Sequence, residues 1–226
     1  MAPKSPTAIL FDLDGVIVDS ESLHHRAYEH ALTPYGVSSI PLDIYADRFS
    51  NRGVGLEYCA EQIPGIDLDA LKAEKNRLFR ELLETDARPL PGVIEIIRAL
   101  AAERPLAVAT GSGHDAAGYV LDRFGLRGCF AAVVAREDYA RDKPQPDAFL
   151  RACESLGEPP ASCLVVEDSY KGLCAARAAA IPCVVVPNDY TRGADFSGAA
   201  AVVASIRELT LARAMEIHGS ARDART

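Results

Sequence analysis

Residues 106–110, 132–134, 163–166 and 183–186 are short apolar runs, and stretches of helical periodicity separate them. Runs that stay apolar at successive positions, instead of alternating with polar residues, belong to strands buried on both faces. Strands of that kind joined by helices form a parallel sheet, because each crossover helix returns the chain to the same end and covers a face. Residues 8–10 are a further such run, and residues 201–203 suit an edge strand. Helices are expected over residues 93–102, 116–124, 147–156, 171–179 and 206–217, with the polar stretch 218–226 fraying.

Between residues 20 and 88 the texture is different. The first helix has Ser20 at a suitable N-cap position and carries Ala27, Ala31 and Tyr35 on one face, while Leu71, Leu78, Leu82 and Leu83 follow a later helix. Pro34, Gly36, Pro41 and the pair Pro64-Gly65 punctuate this region, and no strand pattern occurs in it. Arg88-Pro89-Leu90-Pro91-Gly92 has the prolines and glycine of a stiff return linker. The expected architecture is therefore α/β, with a doubly wound, Rossmann-like parallel sheet built from residues 1–19 and 89–226 and an inserted all-helical cap over residues 20–88.

With 49% hydrophobic residues in 226, the chain can bury a substantial core. Its formal net charge of -8 argues against nucleic acid as a partner, since a polyanion requires a basic face. None of the six cysteines has the close spacing of a zinc or redox motif, so all are expected as small buried residues in a reducing compartment. The polar N-terminal stretch is too short for a signal peptide, and no apolar run has the length of a bilayer span. These features lead us to expect a cytoplasmic monomer with no membrane partner.

In a doubly wound sheet, ligands bind beyond the carboxyl ends of the strands. The first run ends in Asp12-Leu13-Asp14-Gly15, the second in Thr110-Gly111-Ser112, and the 163–166 run in Glu167-Asp168-Ser169; Asp142-Lys143-Pro144 occupies a loop between strands. Acids, hydroxyls and one lysine thus share a rim. A carboxylate can attack phosphorus if a hard cation such as Mg²⁺ neutralises the assembled negative charge, and a second acid can move the proton of the leaving oxygen. A lysine, a hydroxyl and backbone amides can hold the transferring phosphoryl group. Taken singly, these motifs have structural explanations: an acid-capped turn, a β-branched strand residue, a solvated loop lysine, an acidic helix start. Their conjunction on one scaffold favours phosphoryl transfer.

Across nearly its whole length the chain resembles the haloacid dehalogenase superfamily, in particular its phosphatase and β-phosphoglucomutase-like branch with a helical cap. The resemblance rests on Asp12-Leu13-Asp14-Gly15-Val16, Ala109-Thr110-Gly111, Lys143-Pro144 with Pro146-Asp147, and Glu167-Asp168-Ser169 with Gly172, in the family's order. It implies Asp12 as nucleophile and Mg²⁺ ligand, and Asp14 as general acid and base with its backbone carbonyl on the metal. It further implies Asp168 and Glu167 at the metal, Thr110 and Lys143 on the phosphoryl group, and Gly111 and Ser112 beside the substrate. Asp14 distinguishes phosphatases from dehalogenases, whose halide leaving group needs no proton.

In the cap, His24, Arg52 and Lys75 resemble substrate-binding and closure residues of the mutases. Leu56 stands where mutases have an arginine, however, and Gly113-His114 where they have lysine and asparagine. The expected function is a Mg²⁺-dependent phosphatase acting on a small phosphorylated metabolite, of sugar phosphate type, through an aspartyl-phosphate. The alternatives are a hexose phosphate mutase and a non-catalytic phosphometabolite-binding protein.

Overall fold

The computed structural model of the chain describes residues 5–223, so the ends of both terminal stretches considered above, residues 1–4 and 224–226, lie outside the described residues. The strands are β1 (Ala8–Phe11), β2 (Leu106–Ala109), β3 (Ala132–Val134), β4 (Cys163–Glu167), β5 (Cys183–Val185) and β6 (Ala201–Val202). They form one sheet in the order β3-β2-β1-β4-β5-β6, and every pairing is parallel. The chain builds outward from β1 to β3 and then jumps back to β4. The topological switch point therefore lies between β1 and β4, where a crevice opens at the strands' carboxyl ends. Phe11 is level with Val108 on one side and Val166 on the other, so the residues leaving β1, β2 and β4 emerge together.

Period two decides what covers each face. Ile9, Phe11, Val108, Leu164 and Val166 pack into one apolar layer with Ile97, Leu121 and Ile217. Ala8, Leu10, Ala107, Ala109 and Val165 point the other way, against Phe149, Ala152, Leu173 and Ala176. Neither face of the central strands meets water, which is why the runs are apolar without alternation.

The helices between β1 and β2 are α1 (Glu21–Leu32), α2 (Leu42–Ile44), which continues into a π-helical stretch over Tyr45–Asn51, α3 (Gly55–Gln62) and α4 (Leu68–Asp86). Asp67 caps α4, its carboxylate accepting from the N–H groups of Asp69 and Ala70 at 3.1 and 3.0 Å. Leu32, Ile40, Tyr45, Phe49, Cys59 and Leu71 make a small core within this helical cap. Leu23, Ala27, Phe79 and Leu83 instead join the layer beneath and fasten the cap to the sheet. The two connecting segments run side by side: the Asp19 N–H donates to the Arg88 carbonyl at 2.9 Å and the Leu90 N–H to that of Ile17 at 3.1 Å.

The remaining helices are α5 (Val93–Ala101), α6 (His114–Arg123), α7 (Asp147–Leu156), α8 (Tyr170–Ala178) and α9 (Leu211–Asp223). The final helix differs most from expectation. Ile206–Glu208 is a separate 3-10 turn begun by a Ser205–Glu208 capping box, and the regular helix starts later, at Leu211, and continues to Asp223, into the stretch expected to fray. His218, in that stretch, is fully buried, with Nε2 3.1 Å from the Ala161 carbonyl oxygen. Four cysteines are buried as expected, but Cys129 and Cys174 are only partly covered. No helix among the described residues is long and apolar enough to cross a membrane.

Candidate active site

At the switch point, Asp12 follows β1 with its N–H donated to the Val166 carbonyl at 2.9 Å, while Glu167 ends β4 and Asp168 follows it. Lys143 reaches in from the loop before α7. Its ammonium donates to Asp12 Oδ1 at 2.7 Å, Glu167 Oε1 at 2.6 Å and the Ala109 carbonyl at 3.1 Å, so all of its protons are used. The side chain is only 7% exposed and lies over the Phe149 ring, 4.6 Å from its centroid.

Oxygens of Asp12, Glu167 and Asp168 lie within 4.8 Å of one another, close enough to share one cation. Two of the carboxylates are held from behind. Glu167 Oε2 accepts from the N–H groups of Asp168 and Ser169 and from the Ser169 hydroxyl, and Asn188 donates to Asp168 Oδ2 at 2.7 Å. Two glycines make the approach possible. Gly15 has φ +75°, and a Cβ there would fall against Asp168 and Asn188; a Cβ on Gly172 would overlap the Glu167 carboxylate.

This is an electrostatically crowded place. Burial raises the Asp12 carboxyl to about 7, with Glu167 and Asp14 adding to the rise and Lys143 opposing it. Burial also pushes Asp168 up, helped by Glu167, Glu21 and Asp12. For Glu167, burial is outweighed by Lys143 and the hydrogen bonds at Ser169, and the carboxyl lies below its usual value. Burial opposes the charge on Lys143, but Asp12 and Glu167 more than restore it, so the amine stays an ammonium. Three converging carboxylates with one ammonium are short of positive charge, and an all-oxygen donor set suits a small, hard divalent cation.

Asp14 is kept apart from that cluster. Its Oδ1 accepts from the Ser20 hydroxyl at 2.6 Å and lies 3.3 Å from His24 Nε2; its Oδ2 accepts from Ser112 at 2.6 Å and is 3.4 Å from Thr110 Oγ1. Burial works against its charge, yet the His24 ring and the hydroxyls of Ser112 and Ser20 hold the carboxyl well below the usual range. His24 Nδ1 is 2.7 Å from Lys75 Nζ, and the ring stacks on Phe79 at 3.7 Å between centroids. Burial and the neighbouring Lys75 charge lower the His24 pKa, so the imidazole is neutral; with Nδ1 accepting from the ammonium, Nε2 carries the hydrogen that faces Asp14.

A cleft of about 670 Å³ lies between sheet and cap, bordered by Asp12, Asp14, His24, Lys75, Lys143 and Asp168. Gly111 and Ser112 border it too, although the Ser112 hydroxyl is engaged with Asp14. Thr110 is fully buried at the end of β2, its hydroxyl accepting from the Ser112 N–H at 3.0 Å and lying 3.4 Å from Asp14 Oδ2. Arg52 leaves the cleft and borders a second groove, its guanidinium 56% exposed and 3.7 Å from Asp47. The cause is Asn51, whose amide donates to the carbonyls of Ala46 and Tyr190 and whose oxygen accepts from the Tyr170 N–H, so the next residue faces outward.

Sequence reasoning missed Asn188 and the acceptor-directed role of Ser20. Ser20 stands at the N-cap position of α1 but makes no capping hydrogen bond, its hydroxyl going to Asp14 instead. Neither residue lies in one of the four motifs.

A family model described as a hydrolase, haloacid dehalogenase-like hydrolase, matches residues 6–180. The chain is 37% identical over 183 residues to the fructose-1-phosphate phosphatase YqaB of Escherichia coli, covering 79% of this chain and 95% of that protein. It is 34% identical over 209 residues to the protein CbbY of Rhodobacter capsulatus, covering 85% and 90%. The crystal structure of CbbY from Rhodobacter sphaeroides in complex with phosphate superposes with a TM-score of 0.78 at 30% identity, over 90% of this chain and 96% of the other. With the acid cluster at the switch point of a parallel sheet and a helical cap above it, the chain belongs to the haloacid dehalogenase-like hydrolases.

Proposed function

We propose that the protein is a Mg²⁺-dependent phosphatase of a small phosphorylated metabolite, of sugar phosphate type, acting through an aspartyl-phosphate on Asp12. One observation carries this reading: Asp12 stands with Lys143, Glu167 and Asp168, while Asp14, two residues away, is held separately by Ser20, Ser112 and His24. The two aspartates have different surroundings and so can take different parts.

Asp12, Glu167 and Asp168, with the backbone carbonyl of Asp14, would hold Mg²⁺, which when bound neutralises charge on the phosphoryl oxygens. Asp12 attacks phosphorus as the bond to the leaving oxygen breaks, and Asp14, ionised in the free protein, relays to that oxygen a proton brought in by the monoanion of the phosphate ester. Asp14 then takes a proton from the water that attacks the phosphorus of the aspartyl-phosphate, releasing phosphate and restoring Asp12. Lys143 is already an ammonium and balances charge on Asp12 throughout. Residues 20–88 serve as the cap that excludes bulk water. The sugar phosphate class is supported by the likeness to a fructose-1-phosphate phosphatase.

A mutase reading draws on His24 and Lys75, which border the cleft. Leu56 also borders it while Arg52 does not, so neither of the two cap positions compared with the mutases supplies a guanidinium there; Arg80 of α4 does border the cleft, but its guanidinium donates to Asp115 at 3.2 Å. The deciding experiment incubates the protein with a panel of sugar phosphates, with Mg²⁺ and with chelator. The proposal expects inorganic phosphate to appear only with the metal. Isomer formation without phosphate release would favour the mutase.

A further inference from the structure

Glu21 and Ser50 form a buried polar pair that the proposed reaction does not use. Glu21 lies three residues before His24 on α1, so the two side chains share a face. It borders the cleft, is only 9% exposed, and its Oε2 accepts a short hydrogen bond from Ser50, itself 2% exposed in the π-helical stretch. Its charge acts on Asp168, Lys75 and His24.

A further carboxylate is a poor neighbour for a phosphate ester, because it repels the anion and costs desolvation. Nor does it belong to the three-carboxylate cluster. What Glu21 offers is acceptor capacity aimed into the cleft: Ser50 holds Oε2, and no donor among the described residues reaches Oε1. The ammonium groups of Lys75 and Lys171 also border this cleft and disfavour a cationic ligand. The complementary ligand group is therefore a neutral donor, a hydroxyl.

Resting on the phosphatase reading above, we infer that Glu21, positioned by Ser50, accepts a hydrogen bond from a hydroxyl of the leaving group, and so selects phosphate esters of polyhydroxylated carbon chains over aryl phosphates. A hydrogen bond to a charged acceptor in a buried site discriminates strongly against an analogue that lacks the donor.

The test compares kcat/KM for fructose 1-phosphate, and for a panel of other ketose and aldose phosphates, with that for p-nitrophenyl phosphate. Glu21→Gln keeps the volume and an acceptor for Ser50 but removes the charge. It should lower kcat/KM for the preferred sugar phosphate about 10- to 100-fold more than for the aryl ester. Ser50→Ala, which removes the hydroxyl that positions Glu21 but keeps the carboxylate, should shift the same ratio in the same direction by a smaller factor. Equal losses on both substrates would assign the pair to cap architecture and overturn the inference. Wild-type protein that hydrolyses the aryl ester and no sugar phosphate would also overturn it, and the sugar phosphate class with it, leaving the phosphatase chemistry intact; hydrolysis of neither would overturn all three.

Discussion

Replacing Lys75 by methionine removes a buried ammonium and keeps an unbranched apolar stem. Lys75 is 9% exposed, bonded to His24, and lies 4.9 Å from the Phe79 ring centroid. Burial lowers its pKa from 10.5 to about 8, against the attraction of Asp14 and Glu21. At about 1.4 kcal/mol per pH unit, the ionised form costs the folded chain about 3 kcal/mol. Between pH 8 and 10.5 the unfolded chain binds the extra proton, so wild-type stability rises with pH through that window, and the full cost is present below it. Lys75→Met has no such titration. Its stability relative to wild type should be greater at pH 7 than at pH 10 by about 2 to 3 kcal/mol, the contributions of groups that do not interact with Lys75 cancelling in the difference. Urea unfolding followed by circular dichroism at the two pH values measures it. Parallel pH profiles for variant and wild type would refute the buried ammonium, and with it the tautomer assigned to His24.

The remaining predictions concern the acid cluster. Asn188→Ala deletes the donor to Asp168 and should raise the Mg²⁺ concentration for half-maximal turnover about 10- to 100-fold, with kcat at saturating metal much less affected; an unchanged metal requirement contradicts it. Gly172→Ala puts a methyl group into the Glu167 carboxylate, so thermal melts should record a loss of about 1–3 kcal/mol and phosphate release should fall with it. Wild-type melting and turnover in that variant would show that the helix can shift to accommodate the methyl group.

The parallel sheet was readable because strands buried on both faces are written as unbroken apolar runs, and their ends marked the rim where Asp12, Thr110 and Glu167 emerge. Chain-local signals failed where a distant partner decided the outcome. Ser20 has the chemistry and position of an N-cap, yet a carboxylate six residues earlier takes its hydroxyl. Arg52 follows a residue pinned to Tyr190 and Tyr170, contacts more than a hundred positions away, and the π-helical stretch before it has no local sequence signature. Asn188 lies beyond β5 and becomes relevant only when the fold brings it to Asp168. The same holds for the late start of α9: helical periodicity over residues 206–217 does not reveal that Ser205 and Glu208 close a separate turn first.

Asp12 is the residue on which the proposed chemistry can be tested most directly. Acid quench during turnover of a sugar phosphate, followed by peptide mass analysis, should find a phosphoryl group on the peptide that contains Asp12. Asp12→Asn should retain the fold, lose the adduct and release no phosphate. Undiminished phosphate release by Asp12→Asn, or an adduct on another side chain, would contradict the division of labour between Asp12 and Asp14.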